Sequence, residues 1–192
     1  LMELNFNEPT INVIDAIKDI ENQRGKPLSY SFYRWWKDCE PGKSFSSVHP
    51  KGSYFNAYKI SPNNPCPTII ASSGAKLTHW GEPNEISDQQ IIRLQSFPDD
   101  YKFLNKDVKY FCGMSVPPFM TQRLAGQIAQ QHLGVGEPAD LKTGAWNLSD
   151  LKDVKKNGKK VLSIFACGGG STMGYKLAGF DVICAVEIDP EM

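Results

Sequence analysis

Three glycines in a row and a later acid are the residues of this chain best placed to do chemistry. Gly168, Gly169 and Gly170 follow the apolar run Val161–Phe165, and Glu187 stands 17 residues after Gly170. Consecutive glycines let a backbone turn sharply and approach a ligand closely. A helix that starts at such a turn aims unpaired N–H groups at whatever sits over it. A carboxylate at the end of the next strand is acceptor-only when ionised, which suits a ribose diol. The order strand, turn, helix, strand, acid is therefore that of a nucleotide-type binding site. The same residues would also serve as a tight turn beside a solvated acid, which needs no ligand.

The elements that must position these groups can be read from the same pattern. Val161–Phe165 is expected as a strand, Ser171–Ala178 as a helix and Asp181–Val186 as a second strand. Two further helices are clear. In the segment 87–95, SDQQIIRLQ, Ser87 is an N-cap and Gln90 stands at the third helical position, which is a capping box closed off by Phe97-Pro98. In the segment 117–131, Pro117 or Pro118 suits the first turn, and Met120, Leu124 and Ile128 recur at a spacing of four. A short helix is expected over 10–20, capped by Thr10 or Asn12. Residues 25–85 are rich in Gly, Pro, Ser and aromatics and read as short strands with long turns. Residues 133–160 hold several glycines, Pro138 and five lysines between 152 and 160, and read as a surface linker with a turn of helix from Asp150.

Composition bounds the function. The 192 residues are 41% apolar, as in globular proteins, and the formal net charge is zero. Any contact with nucleic acid must come from a local patch. The five cysteines, at 39, 66, 112, 167 and 184, form no CxxC pair, so neither structural zinc nor a disulfide framework is expected. Reduced thiols and the lack of 18 consecutive apolar residues fit a soluble, cytoplasmic protein with no membrane partner. His49, His79 and His132 stand too far apart for a ligand pattern, and no metal is expected. Leu1 is not a native start, and Met2 is the expected one.

Three stretches together resemble the DNA cytosine methyltransferases that modify carbon 5. VLSIFACGGGSTMGYKLAGFDVICAVEIDP (161–190) is similar to the family's first two motifs. NEISDQQIIRLQSFPDDY (84–101) resembles the segment that supports the target recognition region. GMSVPPF (113–119), with the helix after it, resembles the last motif. Thr10–Ile17 and Pro65–Ile70 are similar to the flanks of the recognition region. In the family the cofactor motif comes first and the proline-proline helix last. Here the order is reversed, as in a circular permutation, which surface termini that lie close together permit.

The resemblance implies an α/β fold: a partial Rossmann-like S-adenosylmethionine unit preceded by a small mixed α+β target recognition lobe. It implies a lobe over 1–110 that includes the supporting segment 84–101, a final-motif helix over 111–132, the linker 133–160, and the first β-α-β unit over 161–192. Phe165 would contact adenine, Gly168, Gly169 and Gly170 would line the methionine end, and Glu187 would accept from both ribose hydroxyls. Ile188 would pack on adenine, and Ser115 and Val116 would approach the cofactor from the last motif. Arg34, Lys37, Lys43 and Lys51 would position the phosphates of double-stranded DNA, along with Arg24, Lys26 and Lys59. A restriction-modification setting in a prokaryote or phage is implied.

Several positions depart from the pattern. Cys167 stands where the family usually has glycine, Met114 replaces an asparagine, and Glu85 and Gln90 replace an ion pair. The family's nucleophile lies in a proline-cysteine loop, and its acid lies in a glutamate-asparagine-valine motif. Neither is found in these residues. Pro65-Cys66 matches the flank of the recognition region instead, and Cys39, Cys112 and Cys184 read as packing residues. No catalytic residue is therefore assigned, and the chemistry is expected from the rest of a longer polypeptide or a second subunit. A noncatalytic DNA-binding or cofactor-binding protein derived from the family is the alternative. A small-molecule enzyme with a similar turn would have no use for IIRLQSFPDDY and GMSVPPF.

Overall fold

The computed structural model of the chain describes residues 3–4, 6–72, 76–104, 106–137 and 139–189. The start expected at Met2, Pro138 of the expected linker and Pro190 at the end of the first stretch lie outside the described residues. The chain divides into two compact units, both mixtures of helices and strands. The first comprises Leu1–Pro9, Gln95–Lys106 and Met114–Met192, and the second Thr10–Leu94 and Asp107–Gly113. The division falls inside the segment 84–101, between Leu94 and Gln95.

The second unit carries helices α1 (Val13–Ile17), α2 (Tyr30–Asp38) and α3 (Asp88–Leu94). Strands β1 (Lys43–Ser44), β2 (Ala57–Lys59) and β3 (Lys76–Thr78) form one sheet, with β1 antiparallel and β3 parallel to β2. Most of α4 (Val108–Met114) also belongs here. The helix α2 corrects the expectation of strands alone over 25–85. Its run of aromatics has no period of two, and one face closes on a core: Phe32, Trp35, Trp36 and Val48 pack over buried Cys39, Phe45 and Ala57. The aromatics expected in the core divide, since Tyr30 is 83% exposed and Tyr33 42%.

The capping box holds. The Ser87 N–H donates to Gln90 Oε1 (2.9 Å) and the Gln90 N–H to Ser87 Oγ (3.2 Å). Gln90 is fully buried and also donates to the Ile20 carbonyl (3.2 Å), while Arg93 donates to Asp19 Oδ1 (2.8 Å) and the Ala16 carbonyl (3.2 Å). Glu85, which stands in the place of the family's ion-pair residue, pairs with Lys76 instead.

The first unit holds α5 (Pro118–His132), β4 (Lys160–Ile164), α6 (Gly170–Leu177) and β5 (Asp181–Val186). Helix α5 begins at Pro118, but it does not bury the Met120–Leu124–Ile128 row. Met120 is 54% exposed and Ile128 39%, while Thr121, Gln122, Ala125, Gly126 and Ala129 are buried. The reason is α6. A methyl group at Gly174 would overlap the Thr121 side chain and come within 2.5 Å of the Pro118 carbonyl oxygen, and one at Gly170 would overlap the Val116 carbonyl. Only small residues allow two helices to approach this closely.

Residues 133–160, expected as a linker, carry an anchor. Trp146 is 2% exposed, donates its indole N–H to the Ser96 carbonyl (3.1 Å) and packs near Phe119. Buried Gln122 holds the same stretch through the Asp140 carbonyl (2.9 Å) and the Lys142 N–H (3.1 Å). The expected turn of helix is a 3-10 turn over Leu148–Lys152.

Strands β4 and β5 are parallel and in register at their ends, with Ile164 opposite Val186. Ser163 faces α6, where it bonds Thr172 (2.9 Å), while Leu162, Ile164 and Ile183 stay about half exposed on the other face. Cys184, read as a packing residue, is exposed on β5.

Candidate cofactor turn and nucleic-acid interface

The paired strand ends put the acid beside the glycine turn. The Ala166 N–H donates to the Val186 carbonyl (3.0 Å), continuing the ladder past β4. One residue later the Cys167 N–H donates to Glu187 Oε2 (2.7 Å). Glu187 Oε1 accepts from the N–H groups of Ile188 (2.8 Å) and Asp189 (3.1 Å). The amides of Asp189, Cys167 and Ile188 hold the carboxyl below its usual range against partial desolvation, so it is ionised at neutral pH. Each carboxylate oxygen offers two lone pairs. Among the described residues Oε1 accepts from two backbone amides and Oε2 from one, which leaves a lone pair of Oε2 for an outside hydroxyl. Accepting from both hydroxyls of a diol requires one of the adjacent amides to yield.

The turn has an unusual backbone. Gly169 lies at φ 80° and caps α6, but Phe165 (φ 56°) and Cys167 (φ 44°) also sit in the left-handed region. A side chain there costs about 1 kcal/mol or more. The family's usual glycine at the Cys167 position answers to that geometry. Phe165 is 81% exposed and Ile188 90%, the two most exposed large apolar side chains described in this unit.

Of the residues assigned from the last motif, Val116 lies against Gly170 through its carbonyl, and the Ser115 hydroxyl reaches Cys167 Sγ (3.9 Å). Gln95 Nε2 donates to the Ser115 carbonyl (2.9 Å). Gly170 is buried under Val116, so its missing side chain serves helix packing as well as the turn. Two residues that sequence reasoning left out touch the turn: Tyr101, whose hydroxyl donates to the Gly168 carbonyl (2.8 Å), and Phe97, beside Gly170. Tyr101 was legible only as part of FPDDY, with nothing to link it to a glycine 67 residues away.

In the other unit, Arg34, Lys37, Lys43 and Lys51 are all exposed. Arg34 and Lys37 are three apart on α2, so they share a face, and the Arg34 guanidinium lies over Trp35 (4.4 Å). An aromatic chain ties the loop that carries Lys51 to α2: Phe32 to Tyr54 (5.2 Å), Tyr54 to His49 (5.2 Å) and His49 to Trp35 (4.7 Å). The Ser44 hydroxyl, next to Lys43, is 2.9 Å from the Phe55 carbonyl and 3.1 Å from that of Tyr54. One expected phosphate contact, Lys59, is lost, and another, Arg24, is engaged within the chain. Lys59 is buried, donates to the Trp36 carbonyl (3.2 Å) and lies over its ring, and Arg24 is paired with Glu82 (2.7 Å).

A family model described as C-5 cytosine-specific DNA methylase matches residues 3–130, two thirds of the 192 residues. The chain belongs to the C-5 cytosine-specific DNA methylase family. Type II methyltransferase M.NgoFVII of Neisseria gonorrhoeae is 35% identical over 98 residues, which is 45% of this chain and 26% of that protein. Type II methyltransferase M.BbvI of Brevibacillus brevis is 39% identical over 64 residues, 31% of this chain and 17% of that protein. The chain therefore spans about a quarter or less of these curated relatives. No solved structure matches it significantly. The family match ends before β4, so the turn and Glu187 rest on their own residues and geometry. Among the described residues no helix is long and apolar enough to cross a membrane, and no cluster could hold a metal ion.

Proposed function

We propose that the chain is the part of a DNA cytosine-5 methyltransferase that recognises DNA and holds half of the S-adenosylmethionine site, in circularly permuted order. The observation that carries this is the Cys167–Glu187 link between the glycine turn and an ionised acid, in a chain that belongs to the C-5 family. The bound cofactor would supply the methyl group. Glu187 would accept from its ribose, first through the open lone pair of Oε2. Phe165 and Ile188 would flank the adenine and lose their exposure to water. Ser115 and Val116 would support the turn. Arg34, Lys37, Lys43 and Lys51 would hold the phosphates of double-stranded DNA.

The thiolate that attacks carbon 6 would come from polypeptide outside these residues. The state of three of the five cysteines supports this. Burial pushes the Cys66 thiol, beside the proline that makes it resemble the family loop, up to about 12. Cys112 is likewise pushed up to about 12, by burial and the nearby Asp88 charge, and Cys39 is raised by burial. Such thiols stay protonated at neutral pH and are poor nucleophiles.

Calorimetry with S-adenosylmethionine tests the site. The chain should bind it, and Glu187→Ala should weaken binding about tenfold or more. Equal binding by the variant would remove Glu187 from the site. Binding to duplex DNA should weaken steeply as salt rises, and a salt-independent affinity would remove the phosphate contacts. The isolated chain should transfer no labelled methyl group, and transfer would refute the external nucleophile.

A further inference from the structure

We propose that Tyr101 is a positioning residue for the cofactor turn, fixing the orientation of the Gly168–Gly169 peptide. The proposal rests on the reading of Phe165–Gly170 and Glu187 as the cofactor site. By sequence, Tyr101 belongs to the segment that supports target recognition. In the structure that segment divides after Leu94, and its second part lies in the unit of the turn. There it touches both pieces assigned to the cofactor: Gln95 holds the Ser115 carbonyl (2.9 Å), Phe97 lies against Gly170, and Tyr101 reaches Gly168 (2.8 Å).

A peptide between two glycines is the easiest in a chain to rotate, because no Cβ on either side resists the change. Turn types I and II differ by just such a rotation of the central peptide. Rotation of the Gly168–Gly169 peptide would exchange a carbonyl and an N–H across the turn and invert the local dipole that a ligand meets. Here both ends of that peptide are held. The Gly169 N–H donates to the Ala166 carbonyl (2.8 Å), and the Gly168 oxygen accepts from Tyr101. The tyrosine is itself immobilised, with its ring against fully buried Phe97 (5.2 Å) and against Phe103 (5.0 Å). The hydroxyl is therefore pre-ordered, and its bond selects one of two peptide orientations.

Tyr101→Phe removes the oxygen and keeps the ring packing. Calorimetry with S-adenosylmethionine should show Kd raised about three- to tenfold. Exchange of the Gly169 amide with solvent, followed by NMR without cofactor, should be faster than in the unaltered chain. Phe180→Leu, in the core with Ala125, Ala129 and Ala178, serves as the packing control: it should lower the melting temperature and leave Kd unchanged. A structural role alone would lower the melting temperature of Tyr101→Phe and leave Kd and Gly169 exchange as they were, and that result overturns the proposal. An unaltered chain that binds no cofactor overturns the underlying reading, and the role of Tyr101 goes with it.

Discussion

Around α2 the core is made of Phe32, Trp35, Trp36 and Phe45 closing over Cys39 and Ala57, whereas α5 and α6 meet at Gly170 and Gly174, beside a core of Ala125, Ala129 and Ala178 with the single buried ring of Phe180. The first core fills space with rings and leaves the backbones apart. The second removes side chains until the backbones nearly touch. The difference bears on function. A glycine contact has one geometry, and the turn at Gly168–Gly170 inherits it, because Gly170 is both the start of α6 and the point where Val116 presses on it.

Substitutions should separate the two kinds of packing. The largest effect is expected from Phe45→Ala in the aromatic core, a loss of about 3–5 kcal/mol by chemical denaturation. A loss under about 1 kcal/mol would mean that the rings collapse into the space and the core is looser than drawn. Next comes Gly174→Ala, which adds one methyl group yet should cost about 1–3 kcal/mol, because its neighbours are the Thr121 side chain and the Pro118 carbonyl. Gly136→Ala, with open space around it, should cost far less, and equal effects would break the comparison. Smaller and of opposite sign, Cys167→Gly should stabilise the chain by about 0.5–1 kcal/mol by relieving a left-handed side chain. A lowered melting temperature would show that the cysteine makes contacts worth more than its strain.

The last prediction concerns the lobe and is one of direction. His79 is 3% exposed, its Nε2 has no hydrogen-bond partner, and burial followed by the Arg24 charge pushes its pKa below the ordinary 6.5. The unfolded chain therefore takes up the proton first. Stability is complete above the ordinary value and falls as pH drops through 6.5 toward the folded pKa. The melting temperature should decline from about pH 7.5 to about pH 5.5, and a flat profile would oppose a buried neutral imidazole.

Local signals were legible where they are written in neighbouring residues. Ser87 with Gln90, Pro118 at the start of α5, and the order strand, glycines, helix, strand all appear as read. What failed depends on partners far along the chain. The Met120–Leu124–Ile128 row locates helix α5 but not the face it buries, because Gly174 demands small residues opposite it. Phe32, Trp35, Trp36 and Cys39 do have the helical spacing i, i+3, i+4, i+7, and that signal for α2 was masked by the Gly-, Pro- and Ser-rich turns around it. Trp146 sat unnoticed among glycines and lysines, since its partners at Ser96 and Phe119 are tens of residues away. Of the site, Glu187 and the glycines could be read by spacing, whereas Tyr101 could not.

Trp146 has an optical consequence. The chain has four tryptophans, of which Trp35, Trp36 and Trp80 belong to one unit and Trp146 alone to the other. An indole shielded from water emits at shorter wavelength than a hydrated one, so Trp146 is a built-in dye for the unit with the glycine turn. Trp146→Phe would leave the lobe as the sole emitter, and the difference between the two spectra would report the loosening of one unit while the other is still folded.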